Sequence, residues 1–202
     1  MLKRPKGYLL LTMLVLTGLA GRLHSDTLSG KERRFLINEL KTSKSAFTES
    51  IEGLSIKQIN FKPGKNKKSI KDCIYHLAFI QNNLWQITKN GLKKSTNTIQ
   101  IKKISDTEVA TLLEHQLQDP ELFISLKNGS VLSNEEAKKL LKDNRADLLR
   151  YIKTTTENVR SHMVQTPHGV FDAYQVMLMN SMYTNYFTRV IEHIKSNPNF
   201  PK

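Results

Sequence analysis

Two residues that could perform nucleophilic chemistry lie close together in the segment SIKDCIYHLAF. Cys73 precedes His76 by three positions, a spacing that brings two side chains together on one face of a helix. An imidazole beside a thiol can activate the thiol as a nucleophile. Both residues fall on an apolar helix face, however, so we expect Cys73 to be a buried structural cysteine. Because it is the only cysteine in the sequence, no internal disulfide can form.

His76 is also a candidate metal ligand, since it is the one histidine placed within an apolar helix face. It would either point into the centre of the fold as a ligand or be a buried histidine hydrogen-bonded to a neighbour such as Asp72. No H-E-x-x-H, C-x-x-C or second H-x-x-x-H spacing accompanies it, and the sequence has no G-x-S-x-G or Gly-rich phosphate motif. The structural interpretation is therefore favoured.

An aromatic pair occupies the C-terminal segment YTNYFTRVIEHIK. Tyr183 and Phe187 are four residues apart, so their side chains point the same way from a helix and favour core packing. Asn180, one turn earlier, would add a polar group beside the tyrosine hydroxyl. We expect His76, Asn180 and Tyr183 to approach one another at the centre of the fold.

The elements that position these residues are predicted to be helices, each announced by a capping box and followed by apolar residues at steps of three and four. The boxes begin at Ser29, Ser69, Ser105 and Ser133. The corresponding ends are predicted at Gly53, Gly91 and Asp119-Pro120, and a last long helix runs from about Phe171 to Ser196.

No segment alternates with period two, and the segments LSIKQINFKPGKNKK and Pro167-His168-Gly169 are predicted to be loops. Four long helices and an extra short one favour an all-α fold, an up-down four-helix bundle. We expect residues 27–202 to form a single domain.

The first residues have the pattern of a secretory signal peptide. Lys3, Arg4 and Lys6 precede an apolar run from Tyr8 to Ala20, which is shorter than the roughly 20 residues of a transmembrane helix. We predict a signal peptide over residues 1–20, or as far as about residue 25, and hence export to the periplasm or the extracellular space. The alternative is an uncleaved N-terminal membrane anchor.

The sequence is strongly basic, with a net charge of +13 from 31 basic and 18 acidic residues. The densest lysine cluster, Lys62, Lys65, Lys67 and Lys68, lacks the interleaved aromatic residues of a stacking platform, which favours a solvated basic surface. Export argues against nucleic acid as the natural partner. Adhesion to an anionic membrane or polymer is compatible with this charge.

The order of these elements resembles the DinB-like family of four-helix bundles, from about Leu28 to Pro201. The resemblance is carried by LSIKQINFKPG and SIKDCIYHLAF, then by NEEAKKLLKDNRADLL, PHGVFDAYQVML and VIEHIKSNPNFP. It implies a four-helix bundle and leaves open a homodimer, since bundles of this family often pair through their helices.

Many members of that family bind a divalent metal through three histidines, and the resemblance places the first of them at His76. The other two fall on Tyr183 and Phe187, neither of which is histidine. Lys68 also replaces a tryptophan of the family pattern. A phenylalanine offers no lone pair, and a neutral tyrosine is a poor ligand beside imidazole. The resemblance therefore implies a degenerate metal site with no bound metal.

We accordingly expect an exported binding or structural module without a catalytic metal. One alternative is a metal-dependent thiol transferase or hydrolase with substitute ligands for zinc or nickel. In that case His76 would be joined by Tyr183 as phenolate and by His168 or a carboxylate. The other alternative is adhesion to an anionic surface.

Overall fold

The computed structural model describes residues 27–94, 104–117 and 132–202. Over these residues the chain forms six α-helices, a short 3-10 turn and one two-stranded hairpin. The elements are α1 (Gly30–Ile51), α2 (Ile56–Asn60), α3 (Ile70–Leu92), α4 (Asp106–Gln116), α5 (Asn134–Thr154), the 3-10 turn (Val159–Ser161), β1 (Met163–Thr166), β2 (Gly169–Asp172) and α6 (Ala173–Lys195). The predicted signal peptide and the predicted helix end at residues 119–120 lie outside the described residues.

The expected all-α fold, a four-helix bundle with an extra short helix, is confirmed. The four long helices are α1, α3, α5 and α6; α1 packs on α6, α6 on α3 and α3 on α5, while α1 and α5 meet over a smaller area. None of the helices in the described parts of the chain combines the length and hydrophobicity of a membrane span.

Contacts between the helices fix their directions. The Tyr174 hydroxyl reaches the carbonyl of Glu32, and the Lys195 ammonium reaches the carbonyl of Ser50, so α1 and α6 run parallel. Gln81 of α3 lies beside Thr184 of α6, and the end of α3 lies beside the hairpin that precedes α6, so these two helices are antiparallel. Arg33, near the beginning of α1, donates to the carbonyls of Ile152 and Thr155 at the end of α5, so α1 and α5 are antiparallel. Consequently α3 and α5 run in the same direction, although they are consecutive long helices.

The predicted helix starts are confirmed, because a serine hydroxyl accepts a backbone N–H at each of them. At Ser69, for example, the hydroxyl accepts from the Asp72 N–H at 3.1 Å while the Asp72 carboxylate accepts from the Ser69 N–H at 2.9 Å. Two further capping boxes, at Ser55 and at Asp172, begin α2 and α6. The helix α2 lies within the segment that the sequence predicted to be a loop.

Two glycines that were predicted to end helices have different roles. Gly53 has φ +71 just beyond α1, as predicted for a helix end. The prediction for Gly91 is wrong, since α3 continues through it to Leu92. A Cβ atom at position 91 would lie 2.7 Å from the Val164 Cγ2 atom, so glycine allows the hairpin to pack closely on α3.

The predicted loop around Pro167 is instead the turn of a hairpin, in which Val164 pairs with Phe171. Each strand has four residues, too few for an alternating pattern to stand out. Gly169, the first residue of β2, has φ +128, a conformation that favours glycine. Because the second strand includes Asp172, α6 begins at Ala173 and not at Phe171.

Side chains from all four long helices form a single core. Its fully buried members include Leu36, Leu40, Ile70, Ile74, Leu77, Leu148, Ile152, Met177, Phe187 and Ile191.

Arg160, in the 3-10 turn, ties together the beginnings of three helices. Its Nε donates to Glu32 at 3.0 Å, and its two terminal nitrogens form a bidentate pair with Asp106 at 2.7 Å each. One of these nitrogens also donates to Asp172, the N-cap of α6, at 3.0 Å. The guanidinium lies 3.8 Å from the centre of the Tyr174 ring. This cluster fixes the N-terminal ends of α1, α4 and α6 against one another at one end of the bundle.

Candidate functional site

The Tyr183 hydroxyl lies 2.7 Å from Nε2 of His168, which sits in the hairpin turn. The hairpin folds back along the bundle, so a loop residue meets a residue from the middle of α6. Burial raises the pKa of Tyr183 and lowers the pKa of His168. The pair is therefore a neutral phenol against a neutral imidazole at neutral pH, an ordinary hydrogen bond and not a tyrosinate.

Asn180 does not share this hydrogen bond. Its side-chain nitrogen donates to the carbonyls of Val176 and Met177, at 3.3 and 3.2 Å, within its own helix. The structure thus connects Tyr183 with His168, which the sequence offered only as a substitute ligand. The expected approach of His76 to Asn180 and Tyr183 stays a prediction.

His76 is half-buried on α3, beside the ring of Tyr75 at 6.1 Å between centroids. Burial, together with the neighbouring charge of Lys68, lowers the pKa of His76 to about 4, so its imidazole is neutral at neutral pH. It lies five residues before Gln81, about 7.5 Å along α3 at 1.5 Å per residue. Since α3 and α6 are antiparallel and Gln81 lies beside Thr184, this places His76 beside the part of α6 that follows Thr184.

Cys73, one turn before His76, is fully buried, as expected for a structural cysteine. Burial raises the pKa of the thiol to about 12. The side chain is therefore a thiol at neutral pH, whereas an activated thiol–imidazole pair requires the thiolate.

The donor set at the three positions matched by the family pattern does not fit a three-histidine metal site. Phe187 is fully buried and has no donor atom, and the Tyr183 hydroxyl is protonated and bonded to His168. Within residues 27–94, 104–117 and 132–202, no three histidine, cysteine, aspartate or glutamate side chains are grouped closely enough to hold a metal ion.

The lysine cluster of the sequence is only partly a free basic surface. Lys62 pairs with Asp72 at 3.3 Å, and Lys68 is half-buried, with a pKa that burial lowers to about 8. Lys65 and Lys67 are exposed.

A second site, which the sequence did not predict, is a cavity of about 280 Å³ between α1 and α5, with α3 and α6 behind it. Its lining residues are Lys44, Phe47, Thr48, Ile51, Leu77, Gln81, Lys138, Leu141, Lys142, Arg145 and Thr184. Arg145 occupies the buried stripe of α5 that continues to Leu148, a place where an apolar residue is expected. A charged residue at such a position was the signal available in the sequence.

The guanidinium of Arg145 is held by neutral groups from two other helices. One terminal nitrogen donates to the carbonyl of Leu40 at 2.9 Å and to the hydroxyl of Ser43 at 3.3 Å. The other donates to the Thr184 hydroxyl at 2.7 Å and lies 3.5 Å from the carbonyl of Asn180. Gln81 donates to the same threonine hydroxyl at 2.7 Å.

These features define the class of protein: a helical bundle in which Tyr183 of the last long helix is hydrogen-bonded to His168 of a hairpin, with a cationic cavity between the helices. A family profile described as the DinB superfamily matches residues 39–183, which is more than half of the chain. The chain belongs to the DinB superfamily.

A solved structure with a similar fold is YfiT from Bacillus subtilis, described as a probable metal-dependent hydrolase with an unusual four-helix bundle topology. The TM-score is 0.61, and the match covers 87% of this chain and 92% of that chain, with 12% sequence identity. At this identity the likeness concerns the fold. No curated protein matches the chain in a sequence comparison.

Proposed function

We propose that this DinB-superfamily chain acts as an exported binding or structural module and not as a metal-dependent enzyme. The observation that carries the proposal is that Tyr183 is hydrogen-bonded to His168 and Phe187 is fully buried. The family resemblance implies histidine ligands at these two positions. A site with His76 alone has too few protein ligands for catalytic zinc, which uses about three. Export is proposed from the basic and apolar pattern of residues 1–20.

Metal analysis tests this proposal directly. We expect the protein, purified without chelator or affinity tag, to contain well below one equivalent of zinc or nickel. Stoichiometric metal that disappears in the His76→Ala variant would overturn the proposal. As the positive control, the double variant Tyr183→His with Phe187→His is expected to gain metal binding that depends on His76.

A metal-dependent transferase or hydrolase with substitute ligands is the second candidate, because His168 and Tyr183 bring two donor atoms within 2.7 Å. To use both, the metal would have to displace the hydrogen bond and the proton of a phenol whose pKa burial raises. Thiol transfer that requires added metal and is lost in Tyr183→Phe would support this candidate. Equal activity with and without metal would exclude it.

Adhesion to an anionic surface is supported only by the overall charge of +13. Binding to anionic vesicles that falls steeply between low and physiological salt would support it. Absence of binding at low salt would remove it.

A further inference from the structure

The cavity beside Arg145 arises where two antiparallel helices separate. Arg33 of α1 donates to the carbonyls of Ile152 and Thr155 at the end of α5, and Arg145 joins the middles of the two helices. Beyond Arg145, the second half of α1 and the first half of α5 enclose the cavity between them. Arg145 therefore lies at the inner end of the cavity, where the helices come together.

Arg145 brings a positive charge into this cavity without a neutralising carboxylate. Its side chain is 3% exposed, and within the described parts of the chain all of its hydrogen bonds go to carbonyl and hydroxyl oxygens. None of these bonds uses Nε. Burial lowers the pKa of Arg145 to about 10, which still leaves the guanidinium charged at neutral pH. A buried charge is costly unless it is paired, and neutral partners offset only part of that cost.

The rest of the lining consists of apolar walls inside the cavity and basic residues at its mouth. Phe47 and Leu77 are buried apolar walls, and Ile51 and Leu141 extend them toward the surface. The remaining charged residues of the lining are basic and belong to the cavity mouth: Lys44, Lys138 and Lys142. Lys138 pairs with the exposed Glu135, which does not line the cavity. Among the described residues, the lining includes four cations and no carboxylate.

We propose that this cavity binds a small amphiphile with one anionic head group and a short apolar chain. The head group would accept a hydrogen bond from Nε of Arg145, the guanidinium nitrogen that bonds to none of the described residues, and the apolar chain would lie along Phe47, Leu77 and Leu141. The lysines at the mouth would favour the approach of an anion and reject a cation. The volume of about 280 Å³ lies at the small end of ligand sites, which fits a short chain and not a full lipid.

This inference rests on the proposed binding function, for which it names the class of ligand. It involves different residues from the vestigial metal positions: Thr184 lines the cavity, whereas the adjacent Tyr183 bonds to His168. Metal content and ligand binding can therefore be measured on the same sample, and each result stands by itself.

The test compares ligands that differ only in the head group, by isothermal titration calorimetry on the protein purified without affinity tag. The probes are octanoate, octyl phosphate, octanol and octylammonium. We expect one of the two anions to bind with a Kd of about 1 mM or tighter. Octanol is expected to bind about tenfold more weakly, the effect of losing a charge-assisted hydrogen bond, and octylammonium not at all. The two anionic arms distinguish a carboxylate from a phosphate head group.

Single substitutions test the charged end and the apolar part of the cavity separately. Arg145→Met keeps most of the side-chain volume and is expected to abolish the preference for an anion over octanol. Leu141→Trp fills the apolar part from a half-exposed position, leaves Arg145 in place, and is expected to abolish binding of all probes. Lys142→Glu is expected to weaken anion binding. Lys153→Glu, with the same charge change on the exposed side of the same helix, is its matched control and is expected to bind as the wild type.

Equal affinity for octanoate, octyl phosphate and octanol would overturn the proposal, as would the absence of binding by both anions. If Arg145→Met does not fold, Leu141→Trp decides: unchanged anion binding in a folded Leu141→Trp protein excludes this cavity as the site. Stoichiometric metal bound through His76 would overturn the proposed function alone. Loss of the anion preference in Arg145→Met together with loss of binding in Leu141→Trp would still assign the ligand to the cavity.

Discussion

Replacement of Arg160 by methionine tests whether the cluster at the helix beginnings holds the bundle together. The substitution removes every hydrogen bond of the guanidinium and leaves Glu32, Asp106 and Asp172 close to one another. Methionine retains a flexible apolar stem, so the packing of that stem is largely preserved. The expected effect is therefore mainly electrostatic.

The size of the effect follows from the burial of the groups. Exposed ion pairs contribute about 0.2–1 kcal/mol, whereas removing one partner of a buried pair costs about 3–5 kcal/mol. The Arg160 side chain is 28% exposed and that of Asp172 is 11% exposed, which places this cluster between the two limits. We expect a loss of about 2–4 kcal/mol in the free energy of unfolding, and a fall in Tm of about 5–12 °C.

The loss is expected to depend on pH in a defined direction. The hydrogen bond from Arg160 lowers the pKa of Asp106. Burial raises the pKa of Glu32, but hydrogen bonds from Ser29 and Arg160 outweigh this and lower it overall. A carboxylate whose folded pKa is lowered stabilises the fold above its unfolded pKa, and this stability disappears as the pH falls through the folded pKa. The difference in the free energy of unfolding between wild type and variant should therefore be largest at pH 7. It should shrink as the pH falls below the ordinary pKa values of 4.5 for Glu32 and 3.8 for Asp106.

In the Arg160→Met variant, Asp172 makes the loss of stability depend on pH in the same direction. Burial raises the pKa of this carboxyl despite the nearby guanidinium. Without Arg160 its charge is costlier still, and its protonation in acid relieves the variant more than the wild type. The difference between the two proteins therefore narrows further as the pH falls.

Urea denaturation followed by far-UV circular dichroism at pH 7 and pH 3 measures both effects. Arg150→Met is the matched control, because Arg150 pairs with Asp147 on the surface, with side chains 73% and 52% exposed. The control is expected to change the free energy of unfolding by no more than about 0.5 kcal/mol. An Arg160→Met protein as stable as the control at pH 7, or an equally large deficit at pH 3, would refute the reasoning.

Three further outcomes are expected. Tyr183→Phe removes the hydrogen bond to His168 and should lower the free energy of unfolding by about 1 kcal/mol, while ultraviolet titration should show one fewer tyrosine ionising above the ordinary pKa. Cys73 should react with a disulfide reagent only on unfolding, because burial raises its pKa to about 12; rapid reaction of the native protein would contradict this. Gly91→Ala should lower stability by about 1–2 kcal/mol in urea denaturation, since overpacking against Val164 exceeds the gain in helix propensity. Val164→Ala should then be less destabilising in the Gly91→Ala protein than in the wild type, because it relieves that overpacking.

The sequence predicts those parts of the fold that depend on neighbouring residues. A serine and an acidic residue three positions later determine a helix start within one turn, and these starts are where the structure has them. Spacing of apolar residues in turn predicts the buried faces of the long helices. The end of α3 could not be predicted, because glycine is required at position 91 by close packing against Val164, which is distant in sequence. The hairpin could not be predicted for a different reason, because its four-residue strands are too short to show an alternating pattern.

The candidate sites, too, could be predicted only where they depend on local sequence. The family resemblance places His76, Tyr183 and Phe187 from local motifs, but it cannot predict that His168 would meet Tyr183, because this contact depends on the hairpin. Arg145 is recognisable in the sequence only as a charge within an apolar stripe. Its significance depends on the separation of α1 from α5, which no local pattern records.

The arrangement of α6 explains how a bundle of this family could bind a ligand without its metal positions. Tyr183 and Thr184 are adjacent, so their side chains leave the helix about 100° apart. One meets the hairpin and the other lines the cavity. A substitution at position 183 therefore leaves the cavity wall intact, and Arg145 keeps its hydrogen bond to Thr184 whichever residue occupies position 183. The absence of a catalytic metal and the binding of an amphiphile in the cavity are therefore tested by separate experiments, which substitute different residues.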